Sequence, residues 1–377
     1  MKILMCPEYF IPSIGGGEVW SWQVAKHLVR KGNDVDILTY KHPEKPHDEK
    51  IEDVNIHRIG AFPISGVQSY FKRASIQGIG IINKGLKLDF DIIQASQTFP
   101  LLPSSFLSKM KKRPIVAVYH DIYGYSFSLK DKGLLRGVIR GSVEHITLKM
   151  NYDAIIAVSR STMKKLLKYG IDEKKIKVIT GGVDLKMIDP IKEEKTSTPS
   201  ILFVGRLVPH KRVEDLLKAF SIVLKTNPKT NLYIVGTGKH KDFLQEYASS
   251  LNLEKKVTFT DYVTESEKIR LMKKAHVLVL PSIMEGFGLV LIEAMASKTP
   301  VIATDLGGPK EVVVNNETGF LVEPFNPKAL AEKIGSIIND EKFRTRMGEA
   351  GRRRVEELYT WDKTADNMMQ LYKELVP

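Results

Sequence analysis

Short apolar runs alternate with longer amphipathic stretches through the first half of the chain. KILMC, DVDILTY, FDIIQAS, PIVAVYH and YDAIIAVS are rich in β-branched residues and nearly unbroken by polar ones, as strands covered on both faces must be. Between the first two lies EVWSWQVAKHLVRKG, whose apolar positions recur at helical spacing and which reaches Gly32, a helix stop. After IKVITGGVDLKMIDP the polar stretch IKEEKTSTPS interrupts the pattern, and then it restarts. SILFVG, TNLYIVG, KVTFTD, AHVLVLPS, TPVIATD and TGFLVEP read as strands, RVEDLLKAFSIVLKT and HKDFLQEYASSLN as helices, and WDKTADNMMQLYKEL as a last amphipathic helix. Strands alternating with helices predict parallel sheets with helices on both faces. The expected fold is therefore α/β, with two doubly wound Rossmann-like domains over residues 1–188 and 199–360 and a linker at 189–198. A chain of 377 residues is too long for one hydrophobic core, which agrees with that division. Ligands of such sheets gather at the carboxyl ends of the strands.

The composition, 43% hydrophobic and 27% charged, is that of an ordinary globular protein. The single cysteine, Cys6, excludes an internal disulfide or a multi-cysteine metal site, and its place in the first strand reads as a packed thiol. The apolar run at the N-terminus is cut by Pro7, too short for a signal peptide, and no stretch approaches a membrane span, so a cytosolic location is expected. The net charge of +13 is unevenly spread: residues 1–190 hold 29 Lys and Arg against 19 Asp and Glu, the remainder 28 against 25. From Ala61 to Leu88 there is no acid, while Lys72, Arg73, Lys84 and Lys87 fall in that window. A basic face suits nucleic acid, anionic lipid headgroups or a phosphorylated substrate, or is simply a solvated surface. Nucleic acid is the weakest of these, because no aromatic-interleaved basic motif or known binding module is present.

Four stretches carry candidate chemistry. In PSIGGGEVW, Gly15, Gly16 and Gly17 permit a tight strand-to-helix turn with exposed backbone N–H groups, an anion site or only a turn. Glu18 opens the helix, as a substrate contact or as a carboxylate favoured by the helix dipole. AVYHDIYG sets His120 and Asp121 just past a strand, at the carboxyl edge where catalytic groups collect. LFVGRLVPHKRVEDL throws Arg206 and Lys211 into a strand-to-helix junction, where two cations would hold a diphosphate and neutralise it as it leaves. EGFGLVLIE places Glu285 before a glycine loop and Glu293 eight positions on. In one continuous helix these carboxylates would point about 80° apart. Gly286 and Gly288 instead predict a loop through Phe287, and then a helix whose first N–H groups at Gly288, Leu289 and Val290 suit phosphate or sugar oxygens. Glu285 could then accept hydrogen bonds from sugar hydroxyls, and Glu293 from a ribose.

Taken in order, GGGE, HD, GRL with its lysine, and Glu-x7-Glu strongly resemble the retaining nucleotide-sugar glycosyltransferases of family 4, which have the GT-B fold: two Rossmann-like domains facing across a cleft. PSIMEGFGLVLIEAMASKTPVIATDLGGPKEVV, followed by TGFLVEP, is very close to that family's signature, and the match spans nearly the whole chain. The resemblance implies that Gly16 and Gly17 approach the donor and that His120 contacts the transferred sugar near its reacting centre. Arg206 and Lys211 would bind the diphosphate, Glu285 the sugar hydroxyls and Glu293 the ribose. Gly286, Phe287, Gly288, Leu289 and Val290 would contact the donor along the loop and helix start, and Val263 would lie where the backbone meets the base. Asp261 stands where the family often has glycine, which leaves the base open. The C-terminal helix, residues 361–377, would cross back onto the first domain.

It also implies a transfer with retained anomeric configuration, without a metal or other cofactor, from a nucleoside-diphosphate sugar (UDP- or GDP-linked) to a hydroxyl acceptor. The first domain would hold that acceptor and the second the donor. Two basic amphipathic segments, SGVQSYFKRASIQGIGIINKGLK and GLLRGVIRGSVEHITLKM, could dock on an anionic membrane and reach a lipid-linked acceptor; the alternative is helices packed in the core with a basic outer face. A nucleotide-sugar epimerase on the same fold is the second enzymatic reading, and it would act on donor alone. The remote one is a basic nucleic-acid-binding protein without enzymatic activity.

Overall fold

The computed structural model describes residues 1–13, 15–60, 67–124 and 134–376, with residues 67–75 described by their backbone alone. The chain forms two compact units, Met1–Thr180 with Trp361–Pro377, and Gly181–Thr360.

The first unit is built on strands β1 (Lys2–Cys6), β2 (Asp34–Tyr40), β3 (Asp48–Ile51), β4 (Val54–Ile59), β5 (Ile92–Ser96), β6 (Ile115–Tyr119), β7 (Ala154–Ala157) and β8 (Ile176–Val178). Their order is β3-β4-β2-β1-β5-β6-β7-β8, and every pair is parallel except β3 with β4. The central strands are buried on both sides, which is why they read as continuous apolar runs. Leu4, Leu38, Ile93, Ala117 and Ile155 share one core with Cys6, whose thiol burial pushes up to about 12, so it is an inert packed group. The helix Gly16–Arg30 is terminated by Gly32, at φ +81°, whose N–H reaches the Val29 carbonyl at 2.8 Å. The helix Trp361–Leu375 belongs to this unit. It buries Trp361, Met368, Leu371 and Tyr372, pairs Asp366 with Lys31 at 2.6 Å, and donates the Tyr372 hydroxyl to Gln94.

The hairpin β3–β4 has no counterpart in the sequence reading. Its turn residues Glu52 and Asp53 both take positive φ, 45° and 64°, as a two-residue hairpin turn requires. Two acids fill positions where Asn-Gly would have announced the turn, and the strand Asp48–Ile51 is nearly all polar, so neither signal was visible.

The second unit carries β9 (Ser200–Val204), β10 (Asn231–Val235), β11 (Val257–Thr260), β12 (Val277–Leu280), β13 (Val301–Thr304) and β14 (Gly319–Val322), in the order β11-β10-β9-β12-β13-β14, all parallel. The division between the units falls at Thr180–Gly181, not in the expected linker at 189–198. Val183 bridges to Thr360, Asp189 pairs with Arg352 at 2.6 Å, and Glu193 pairs with Arg270 at 2.5 Å, so this stretch is bound to the second unit. Val183 and Ile188 are buried, but from Asp189 on the stretch is mostly polar and is tied by ion pairs and hydrogen bonds, and in sequence such a segment cannot be told from a linker.

Candidate functional site

In the second unit the loops leaving four adjacent strands are stacked backbone on backbone. After β9 and β10, a Cβ on Gly236 would lie 1.9 Å from the Gly205 carbonyl oxygen, and one on Gly238 2.2 Å from that of Leu207. The Leu207 N–H donates to the Thr237 carbonyl at 2.8 Å, closing the contact. After β12 and β13, the Gly308 N–H donates to the Glu285 carbonyl at 3.0 Å, and a Cβ on Gly308 would lie 2.4 Å from the Gly286 carbonyl oxygen. The Ile283 N–H donates to the His210 carbonyl at 2.9 Å and ties the two pairs of loops together. Only glycine permits approaches this close.

This frame sets Lys211, at the end of a short turn Pro209–Lys211, against Glu285 in a direct ion pair, with 13% and 19% of the two side chains exposed. The sequence reading gave these residues separate ligand groups; the fold makes them partners as well, so each partly buried charge is neutralised and oriented. Arg206 is exposed and makes no ion pair among the described residues. Arg212, which follows Lys211, pairs with Glu214 and Asp215 and stacks 4.8 Å from the Phe325 ring, a structural role.

Gly286 and Gly288 do lie in a loop, and the helix begins at Leu289 with Gly288 as its cap at φ +95°. The N–H groups of Leu289 and Val290 thus sit in the first turn, at the positive end of the helix. Phe287 was expected among the donor-contacting residues. Its side chain is instead buried, edge-on to Tyr359 at 5.5 Å, so only its backbone is open to a ligand. Glu293, in the helix Leu289–Ala296, faces Lys268 at 2.9 Å, and Lys268 is also 2.9 Å from Glu265. Burial works against the Lys268 ammonium, but Glu293 and Glu265 outweigh it and raise its pKa. Lys268 was not foreseen: it lies 25 positions before Glu293, and only the packing of two helices brings them together. Val263 is half-buried, just before the capping box of Thr264 and Glu267. Asp261 is held by Lys241 at 2.6 Å.

In the first unit a smaller group forms at the carboxyl ends of β5 and β6. A Cβ on Gly17 would lie 2.6 Å from the Gln97 amide nitrogen and 3.2 Å from the His120 ring, so a side chain here would displace the Gln97 amide and press on the imidazole, whereas one on Gly16 would meet nothing. His120 stands edge-on to Trp20 at 5.3 Å, its Nε2 has no hydrogen-bond partner among the described residues, and burial pushes its pKa down to about 4. The ring is therefore neutral near pH 7. Asp121 is buried and paired with Lys165, and the buried Glu144 accepts from the Tyr123 and Gly124 N–H groups at 3.0 and 2.7 Å. Gln97 takes φ +67° and ψ −162°, a region nearly reserved for glycine. Its place directly after the strand run FDIIQAS was the available signal; Glu144, inside a helix, offered none.

The two basic segments fold as the helices Val67–Lys87 and Leu134–Leu148; residues 65, 66 and 133, and the side chains of 67–75, lie outside the description. Both pack on the helix Thr98–Lys111. These three helices expose Ile79, Phe106, Met110, Leu134 (78% exposed) and Leu135, with Lys87 and Lys109 also at the surface. No described helix is long and apolar enough to cross a membrane.

Residues 14–187 match the family model described as Glycosyltransferase Family 4, and residues 186–354 the model described as Glycosyl transferases group 1. An uncharacterized glycosyltransferase of Methanocaldococcus jannaschii is 30% identical over 379 residues, covering 100% of this chain and 99% of that one. Among solved structures, sucrose-phosphate synthase from Thermosynechococcus elongatus superposes with a TM-score of 0.87 at 26% identity, over 99% of this chain and 98% of its own. Anabaena HepE, solved with UDP-glucose, has the same fold, with a TM-score of 0.80 at 19% identity over the whole of both chains.

Proposed function

Because the chain belongs to the group 1 glycosyltransferases of family 4 and has their GT-B fold, we propose that it transfers a sugar from a UDP- or GDP-sugar to a hydroxyl acceptor with retention of anomeric configuration. The observation that carries this reading is the Lys211–Glu285 pair beside the amino end of the helix Leu289–Ala296. Lys211 and Arg206, with the N–H groups of Leu289 and Val290, supply the positive field for a departing diphosphate. Glu285 accepts from sugar hydroxyls and Glu293 from the ribose, while Val263 meets the base. In the first unit Gly16 and Gly17 approach the donor, and His120, neutral, stabilises the reacting sugar through its ring or carbonyl. The presence of UDP-glucose in HepE supports a nucleotide-sugar donor.

Retention by double displacement needs a free carboxylate beside the anomeric carbon. Glu285, tied to an ammonium, is a poor nucleophile, which supports same-face attack instead. The acceptor hydroxyl enters as the diphosphate departs, and a departing phosphate oxygen takes its proton. Catalysis then rests on neutralising the leaving group and positioning an oxocarbenium-like sugar, a task for which two cations and a helix end suffice without a resident metal.

Lys211→Ala tests this: turnover should fall about 100-fold or more, with a much smaller change in thermal stability. A variant with unchanged transfer rate would overturn the assignment. Incubating donor alone separates transfer from epimerisation; an isomerised sugar would favour the epimerase, which the family membership does not support. UDP-, GDP- and ADP-sugars compared by thermal shift would identify the base, because a bound donor stabilises the fold by mass action.

For the acceptor we propose a lipid-linked or membrane-associated glycan, reached from an anionic surface through the exposed apolar and basic residues of the helices Val67–Lys87, Thr98–Lys111 and Leu134–Leu148. Co-sedimentation with anionic but not neutral vesicles, weakened by salt, is the expected result. Equal recovery with both vesicle types would end the idea.

A further inference from the structure

At the other end of the second unit's sheet, where β9, β12 and β13 begin, lies a cavity of about 570 Å³ lined by Lys195, His276, Lys298, Glu341, Arg344 and Glu349, among others. None of these residues belongs to the loops that hold Lys211 and Glu285. Lys195 donates to the Ala275 carbonyl at 2.5 Å and to the Thr299 hydroxyl at 2.7 Å. An ammonium has three donors, so one is left over. Arg344 is 9% exposed and gives one terminal nitrogen to the Ile337 and Ile338 carbonyls at 3.2 and 3.4 Å. Both cations are met by neutral oxygens and by no paired carboxylate among the described residues, an arrangement that is costly for buried charge. His276 accepts the Ser200 N–H on Nδ1 at 3.2 Å, which leaves its proton on Nε2 as a further donor. Of the two acids on the wall, Glu349 is taken by Lys298 at 2.8 Å, and Glu341 is exposed to solvent.

We propose that this cavity is a second anion site, taking a phosphate group through Lys195, Arg344 and His276, with Lys298 at its rim. The electrostatics agree with the geometry. Burial first, then the Arg344 and Lys273 charges, push Lys195 down to about 7, and burial, then the Arg344 and Lys195 charges, push His276 down to about 4. Glu341 and Asp340 offset the Arg344 charge in part, but the charges acting on Lys195 and His276 are all positive, and a bound phosphate supplies the missing negative one. The volume exceeds that of inorganic phosphate and leaves room for a small organic phosphate.

The test is isothermal titration calorimetry of the full chain with inorganic phosphate and with glycerol phosphate, at ionic strength held constant with sodium chloride. Binding is expected that is weakened at least tenfold in Lys195→Gln and several-fold in Lys298→Glu, and that persists in Lys211→Ala, which removes a cation of the proposed diphosphate site. Lys298 is 57% exposed, so its variant keeps the test decisive if the other does not fold. Tighter binding of glycerol phosphate assigns an organic phosphate as the ligand, and equal or weaker binding assigns free phosphate. No binding above the chloride background, equal affinity in Lys195→Gln and Lys298→Glu, or loss in Lys211→Ala would overturn the site.

Discussion

At the scale of single residues, Gly17, Gln97 and His120 meet at the carboxyl ends of β5 and β6. A methyl group on residue 17 would sit 2.6 Å from the Gln97 amide and 3.2 Å from the His120 ring, so both side chains must move. Gly17→Ala should therefore cost about 100-fold in transfer, because displacements of this size ruin catalytic geometry, while circular dichroism stays native. Gln97→Gly should relieve the strain at φ +67° and stabilise the chain by roughly 1 kcal/mol, read as a raised melting temperature. Burial lowers both His120 and His276 to about 4, below the unfolded value near 6.5. The unfolded chain then binds protons more readily in that interval. Stability should be full above about pH 6.5 and fall as pH drops toward 4, and His120→Gln should flatten that slope in denaturant titrations.

At the scale of elements, the edge hairpin β3–β4 hangs on His57. Its Nε2 faces Asp36 at 2.9 Å and its Nδ1 faces Asp48, which Lys84 also approaches at 2.9 Å. The Asp36 bond raises the pKa of His57, against burial and with help from Asp48. A raised pKa contributes stability that is present below the unfolded value and lost as pH rises through the folded one. Amide exchange in β3, compared with β12 at the same pH, should accelerate as His57 loses its proton, and His57→Gln should abolish that pH dependence. The strands with unbroken apolar runs were readable from periodicity. The hairpin was not, because its outer strand Asp48–Ile51 is nearly all polar and is fastened to β4 by charge pairs, although β4 itself buries Val54 and Ile56.

For the whole molecule, the discontinuous first unit makes a direct prediction. Ending the chain at Thr360 would uncover the sites of Met368, Leu371 and Tyr372, each worth about 1.5–3 kcal/mol of burial. Calorimetry should then show the transition of unit Gly181–Thr360 kept and that of the first unit lost or strongly lowered. A truncated chain with both transitions unchanged would show that the helix Trp361–Leu375 contributes little.

The sequence by itself determined the two parallel sheets, the strand-to-helix junctions and which residues follow each strand. Those are local matters of periodicity and glycine placement, written along the chain. It also carried the family, through four motifs in order. Only the tertiary structure decided which side chains meet. Lys211 pairs with Glu285 across 74 positions, Glu293 with Lys268, Phe287 turns inward to Tyr359, and Lys195 lines one cavity with Arg344. Such contacts depend on how distant elements pack, and charge pairing over that distance leaves no periodic trace in the sequence.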